Sequence, residues 1–212
     1  MRLVTRRPIA LTTLAALCAL PFALPLGARA AAVIDQPAPA FTAPGADGKP
    51  VSLSSYRGKT VVLEWTNHEC PFVRKHYDQS GNIPKLQKEA TAQGVVWLQV
   101  ISSPPGTQGH VSGSEALKLN QQRGAAPTAV LLDADGKVGK AYGAQTTPHL
   151  YVINADGKLV YKGGIDSIPS SRVDDIAKAQ NHVRLALADV AAGRKVAQPS
   201  TRPYGCSVKY AD

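Results

Sequence analysis

The stretch that most constrains this chain is Val61–Tyr77, which reads VVLEWTNHECPFVRKHY. Val61-Val62-Leu63-Glu64-Trp65 is a short apolar, β-branched run of the kind that forms a buried strand. Thr66-Asn67-His68-Glu69 switches to turn and cap residues. Cys70-Pro71 follows, with proline suited to the first turn of a helix. Helix formers then run from Phe72 to about Ala92, softly interrupted at Ser80-Gly81-Asn82 and Pro84. Cys70 is thereby expected at the mouth of a strand–loop–helix unit, its sulfur facing the unpaired N–H groups and the positive end of the helix dipole. That setting lowers a thiol pKa and populates the thiolate near neutral pH. Arg74, Lys75, His68 and His76 push the same way. The competing reading is a small buried hydrophobe, but such a cysteine usually lies within an apolar run, and Cys70 lies just past one.

The first thirty residues read as a secretory signal. Arg2, Arg6 and Arg7 form a basic start, Ile9 to Leu26 is apolar, and Ala28-Arg29-Ala30 offers a cleavage site. The apolar run is shorter and more proline-broken than a spanning helix needs. Removing this segment takes away four arginines and no acids, so the net charge falls from +9 to +5. Basic residues are scattered without interleaved aromatics, which argues against a nucleic-acid partner. Cys18 leaves with the segment, so the mature chain keeps Cys70 and Cys206. Two cysteines in an exported, periplasmic setting suit a structural disulfide or a redox couple.

Taken in order, residues 31–40 form an extended lead-in. Phe41–Pro44 and Asp47–Leu53 read as a hairpin closed at Asp47-Gly48. Val95–Ile101 is a second buried strand, and Ser102–Gly113 a long Pro/Gly/Ser-rich loop of the length that often belongs to a site. Ser114–Gln122 reads as a helix capped by Ser112 or Ser114, Pro127–Leu132 as a strand, and Lys137–Tyr142 as a short helix ended by Gly143. Thr146–Ile153 is a strand containing Pro148, and Asn154-Ala155-Asp156-Gly157 turns it back into Lys158–Ile165. Ser171–Ala192 carries the strongest helical stripe, with Gly193 as its cap. From Arg194 onward no period is visible. The expected organisation is a 1–30 signal, a 31–193 domain and a 194–212 tail carrying Cys206. Alternating strands and helices predict an α/β fold, a mixed central sheet with helices on both faces and an N-terminal β-hairpin extension.

Strand, loop, cysteine at a helix start and Thr147-Pro148 ahead of a late strand together resemble the thioredoxin fold. Pro37-Ala38-Pro39-Ala40-Phe41, Asp47-Gly48-Lys49 and Gly58–Leu63 resemble the alkyl hydroperoxide reductase/thiol-specific antioxidant (AhpC/TSA, redoxin) superfamily. Asn67–Val73, Ala141–Ala144, Thr147-Pro148-His149 and Tyr204–Lys209 resemble its exported peroxiredoxin-like members. The resemblance covers residues 36–212. It implies that Cys70 is the attacking thiol and that Pro148 is held cis beside it, placing the Thr147 backbone where a substrate or partner chain can pair. The chain departs from the pattern at three points. Val73 stands where a dithiol motif has its second cysteine. Asn67 stands where a peroxiredoxin has a threonine or serine to bind peroxide, with Thr66 one residue further off. No arginine is assigned by pattern, Arg74 and Arg123 being candidates.

The function implied is thiol-dependent reduction of peroxides or protein disulfides. Cys70 would attack, Cys206 would resolve, a separate thiol reductant would reopen the disulfide, and no cofactor is needed. Cys206 has two other readings, a structural staple for the tail or a free thiol, and pairing within one chain or across a homodimer is open. Two further functions compete. His68 and His76 beside Cys70 suit copper or zinc, as in an exported metal-handling protein of this fold, although both also read as solvated residues. The chain could also be a non-catalytic redoxin-fold binding module. His149 is expected near Cys70, where it would tune the thiolate or simply end a strand.

Overall fold

The computed structural model describes residue 1 and residues 32–211. The secretory signal expected over residues 1–30 lies outside these apart from Met1. The expected hairpin forms from β1 (Thr42–Pro44) and β2 (Pro50–Ser52), paired antiparallel. It leads to the central strand β3 (Val61–Trp65), all five residues of which are buried.

After β3 come α1 (Pro71–His76) and α2 (Asn82–Ala92), separated at the interruption the sequence predicts. Next are β4 (Val96–Ile101), α3 (Gly113–Gln122), β5 (Ala129–Leu132) and α4 (Lys137–Tyr142). Ser112 caps α3 in a reciprocal capping box with Glu115, which removes two otherwise unpaired donors. Asp133 performs the same service for α4, accepting the backbone N–H groups of Val138 and Gly139 at 2.9 Å each. The late strand divides at Pro148 into β6 (Thr146–Thr147) and β7 (His149–Ile153), and β8 (Leu159–Gly163) completes the second hairpin.

The main sheet has the order β5-β4-β3-β7-β8. β4 runs parallel to β3 and β5, whereas β7 is antiparallel to β3 and β8. This is the thioredoxin-like mixed sheet. Side chains alternate across it, as strand geometry requires. Val62, Trp97, Leu150, Val152 and Tyr161 pack under α1, α2 and the helix His182–Ala191 with Cys70. Leu63, Trp65, Leu98, Tyr151 and Ile153 face the hairpin and α4. Trp65, Tyr142 and Tyr151 form a three-ring cluster on that second face, with centroids 5.1–5.6 Å apart.

One helix differs from the sequence reading. The stripe over Ser171–Ala192 yields only a short 3-10 turn (Val173–Asp175) and then α5 (His182–Ala191). Local side chains interrupt it. Ser170 and Lys178 bind Asp175, and the Gln180 N–H goes back to the Ser167 hydroxyl. Asn181 then caps a new start by accepting the Arg184 N–H. A correct apolar spacing was outcompeted by local side-chain hydrogen bonds that favour turns.

The residues after α5 pack onto the domain. Lys162 and Ser200 make an isolated bridge, and β9 (Cys206–Ser207) pairs antiparallel with β6. Among the described residues, no helix is long and apolar enough to cross a membrane.

Candidate active site

The end of β3 and the start of α1 position Cys70. The Asn67 carbonyl accepts the Cys70 N–H at 3.1 Å, closing the turn, and the Cys70 carbonyl begins α1 by accepting from Arg74. Cys70 is the N-cap of α1, Pro71 is its first residue, and the thiol makes no capping bond. That leaves the sulfur free to face across the sheet end. Its S–H donates to the Thr147 carbonyl at 3.1 Å, and the Thr147–Pro148 bond is cis. Cys70 is wholly buried.

β6 and β9 bring the second cysteine to this point. Thr147 stands opposite Cys206 in the β6–β9 register, and the Thr147 hydroxyl donates to the Cys206 carbonyl at 3.4 Å. Gly205 makes the approach possible. Its φ is +136°, and a Cβ there would run into the Thr147 carbonyl, so only glycine fits both the conformation and the space. Both cysteines are free thiols. Burial pushes the Cys206 thiol up to about 12, and its neighbour Cys70 adds to the shift.

The other predicted residues fall into two groups. Thr147 and Pro148 join Cys70. Asn67 and Thr66 are buried, and the Asn67 side chain is committed elsewhere. The Asn67 amide accepts the Glu69 N–H at 2.9 Å and donates to the Gln108 carbonyl at 3.3 Å, so it braces the Cys70 turn against the long loop. Thr66 extends the β3–β4 pairing through its N–H to Val100. Arg123 pairs with Asp78 at 2.6 Å, and its guanidinium lies over the Tyr77 ring. Arg74 also pairs with Asp78, at 3.6 Å.

Two histidine expectations are corrected. His149 belongs to the opposite face of the sheet from Cys70. It contacts the Tyr151 hydroxyl and the Gln145 N–H, and burial, aided by the Lys162 charge, pulls it down to about 3. The alternation of β7 sends Leu150, not His149, toward the cysteine. His76 is not solvated but fully buried. Its ring nitrogens meet Tyr204 and Asn82, and burial, aided by the Lys75 charge, lowers it to about 4. Among the described residues, no three histidine, cysteine or acidic side chains group so as to hold a metal ion.

Sequence reasoning passed over two features of the site. Glu64, four residues into the apolar β3, is completely buried and accepts from Tyr77 at 2.6 Å, Trp97 at 2.7 Å and Gln87 at 3.1 Å. Its signal was plain, an acid within a run of buried-strand residues. Tyr204 was the other. Its hydroxyl donates to Asp166 and its ring meets Phe72 edge-on at 5.9 Å, tying the tail to α1. The Tyr204–Lys209 resemblance marked its segment, but not the contacts that its side chain makes.

A buried cysteine at a helix start, facing a cis-proline turn on a five-stranded mixed sheet, defines a thiol protein of the thioredoxin fold. The chain belongs to the AhpC/TSA family, whose model matches residues 34–162. Family and fold together make it a redoxin-class thiol oxidoreductase. An uncharacterized conserved protein from Geobacillus kaustophilus is 26% identical, with TM-score 0.69 over 84% of this chain and 93% of its own. A hypothetical protein from Sinorhizobium meliloti 1021 is 21% identical, with TM-score 0.71 over 86% and 97%. A candidate thiol:disulfide interchange protein DsbE from Chlorobium tepidum is 23% identical, with TM-score 0.50 over 62% and 85%. A search among curated proteins found no match.

Proposed function

We propose that this chain is an exported, periplasmic redoxin that reduces a peroxide or a disulfide, with Cys70 as the attacking thiol and Cys206 of the same chain as the resolving thiol. The observation that carries the reading is the β6–β9 pairing. It sets Cys206 opposite Thr147, the residue whose carbonyl takes the Cys70 thiol hydrogen. Export rests on the N-terminal segment of the sequence.

With a peroxide, the Cys70 thiolate attacks the outer oxygen, the O–O bond breaks, and the leaving alkoxide or hydroxide takes a proton. Cys70 is then a sulfenic acid and the peroxide has been reduced by two electrons. Cys206 then attacks that sulfur, its thiol proton passing to the leaving hydroxyl, so that water departs and a disulfide closes. With a disulfide, Cys70 forms a mixed disulfide and releases one thiol, and Cys206 releases the other. An external thiol reductant returns the pair to the dithiol state in either case. Residues 1–30 apart, the chain needs no membrane and no nucleic acid for this chemistry, and one protomer of any homodimer suffices.

Intact mass after brief hydrogen peroxide treatment tests the assignment. The wild type is expected to lose two thiol hydrogens as a Cys70–Cys206 disulfide. Cys206→Ser is expected to hold a sulfenic acid on Cys70 that dimedone traps, and Cys70→Ser to stay unchanged. A Cys70 thiol that persists under peroxide removes the peroxidase branch, and one that also ignores a small disulfide removes the whole reading.

A further inference from the structure

The tail that carries Cys206 does more than deliver a second sulfur, because it covers the place where a larger substrate would have to sit. β9 uses the open edge of β6 at Thr146 and Thr147. That edge borders the Cys70 thiol, and an extended polypeptide approaching Cys70 would need it for backbone pairing. Under the docked tail Cys70 has no exposed surface. A molecule of a few heavy atoms requires only a small local opening to reach it. A polypeptide disulfide requires β9 to leave.

What keeps β9 in place is fastened beyond it. The Val208 N–H donates to the Gln145 carbonyl at 2.9 Å. Tyr210 then lays its ring on α4 where that helix begins. Side chains at Gly136 or Gly139 would collide with the ring, since a Cβ on either would overlap Tyr210 carbon atoms. The Tyr210 hydroxyl donates to the Ala144 carbonyl at 2.8 Å, and Lys140 lies 5.8 Å from the ring centroid. The two glycines thus form a seat shaped for one aromatic residue. Gly139 lies within the helix, where glycine is otherwise unfavourable, and the seat accounts for it.

We propose that Tyr210, seated on Gly136 and Gly139, is a specificity-determining latch that restricts Cys70 to small oxidants such as hydroperoxides and excludes polypeptide disulfides. The proposal rests on Cys70 being the attacking thiol. Releasing the latch raises the fraction of molecules with a free β6 edge, and the rate with a polypeptide rises by that factor. The first step with peroxide, which needs no such edge, stays nearly constant.

The test compares wild type, Tyr210→Ala and Gly139→Ala, all fully reduced and in single turnover. One arm follows loss of the Cys70 thiol with hydrogen peroxide. The other follows release of thiol from insulin, a disulfide-bonded polypeptide. Loss of a seated ring and its hydrogen bond is expected to raise the insulin rate about tenfold or more in Tyr210→Ala, with the peroxide rate within about twofold of wild type. Gly139→Ala reaches the same result from the other side of the contact and leaves the tail sequence intact. If the wild type reacts with peroxide and the insulin rate is unchanged in both variants, the latch is overturned while the Cys70 assignment stands. A wild type that already reduces insulin as fast as Tyr210→Ala overturns it too. If Cys70 reacts with neither probe in any variant, the assignment of the attacking thiol fails and the latch with it.

Discussion

Tyr77 donates its hydroxyl to the Glu64 carboxylate across 2.6 Å, from α1's end to the middle of the central strand, with no solvent at either residue. Burial raises Glu64 from 4.5 to about 7, outweighing the donors from Tyr77, Trp97 and Gln87 that lower it. The folded state therefore holds this proton over a range where the unfolded chain has lost it. Stability is highest below about pH 4.5 as far as this group is concerned, and is lost as pH rises through 7. The expected loss is on the order of 3 kcal/mol. Urea midpoints at pH 5 and pH 8 would read it, and Glu64→Gln, which keeps the shape and drops the titration, is expected to flatten the difference.

Cys206 and Cys70 differ in availability. Burial, reinforced by Cys70, holds the Cys206 thiol well above its ordinary value, so iodoacetamide is expected to modify it slowly in the reduced protein. Cys70→Ser removes the contribution of the neighbouring thiol and leaves burial opposed by Lys209. Alkylation of Cys206 in that variant is expected to run several-fold faster. Equal rates in the two proteins, read by mass spectrometry, would contradict the pairing of the sulfurs.

Gly205→Ala tests the close approach of the tail. The new methyl meets the Thr147 carbonyl, and φ is unfavourable for any residue with a Cβ. A cost of about 2 kcal/mol falls on β9 docking. Peroxide is then expected to leave Cys70 as a sulfenic acid or beyond in place of a disulfide, as peptide mapping under non-reducing conditions would show.

Lys75 is a buried cation held by the tail and the loop before α5. Its Nζ lies 3.8 Å from Asp166 and donates to the Ser170 carbonyl at 3.0 Å. Asp166→Ala strands that charge and is expected to cost about 3 kcal/mol or more. Adding Lys75→Met is expected to recover at least half of the loss, since an apolar side chain of similar length needs no partner. A double variant no more stable than the single one would mean that Asp166 matters through Tyr204 and not through Lys75.

These features differ in how far the sequence announced them. The strand–turn–helix around Cys70 was legible because a β-branched run, a turn and a Cys-Pro helix start agree with one another. The cap at Ser112 and the stop at Gly143 were legible for the same reason, as short-range chemistry. The Ser171–Ala192 helix failed where local polar bonds overrode a good apolar period. Pro148 read locally as a strand-opening proline, and its cis bond beside Cys70 was what the family resemblance implied. The docking of Cys206 could not be read, because it depends on a two-residue strand, one glycine and a tyrosine that meet partners some sixty residues earlier in the chain. His149 illustrates a smaller limit. Its proximity to Pro148 in sequence is real, but strand alternation turns its ring to the far side of the sheet.

The in-chain placement of Cys206 on β9 has a kinetic meaning. Closure of a Cys70–Cys206 disulfide is first order, its rate set by how the tail sits and not by how many copies of the protein are present. In the proposed function the second reactant travels with the first at a fixed effective concentration, whatever dilution the surroundings impose.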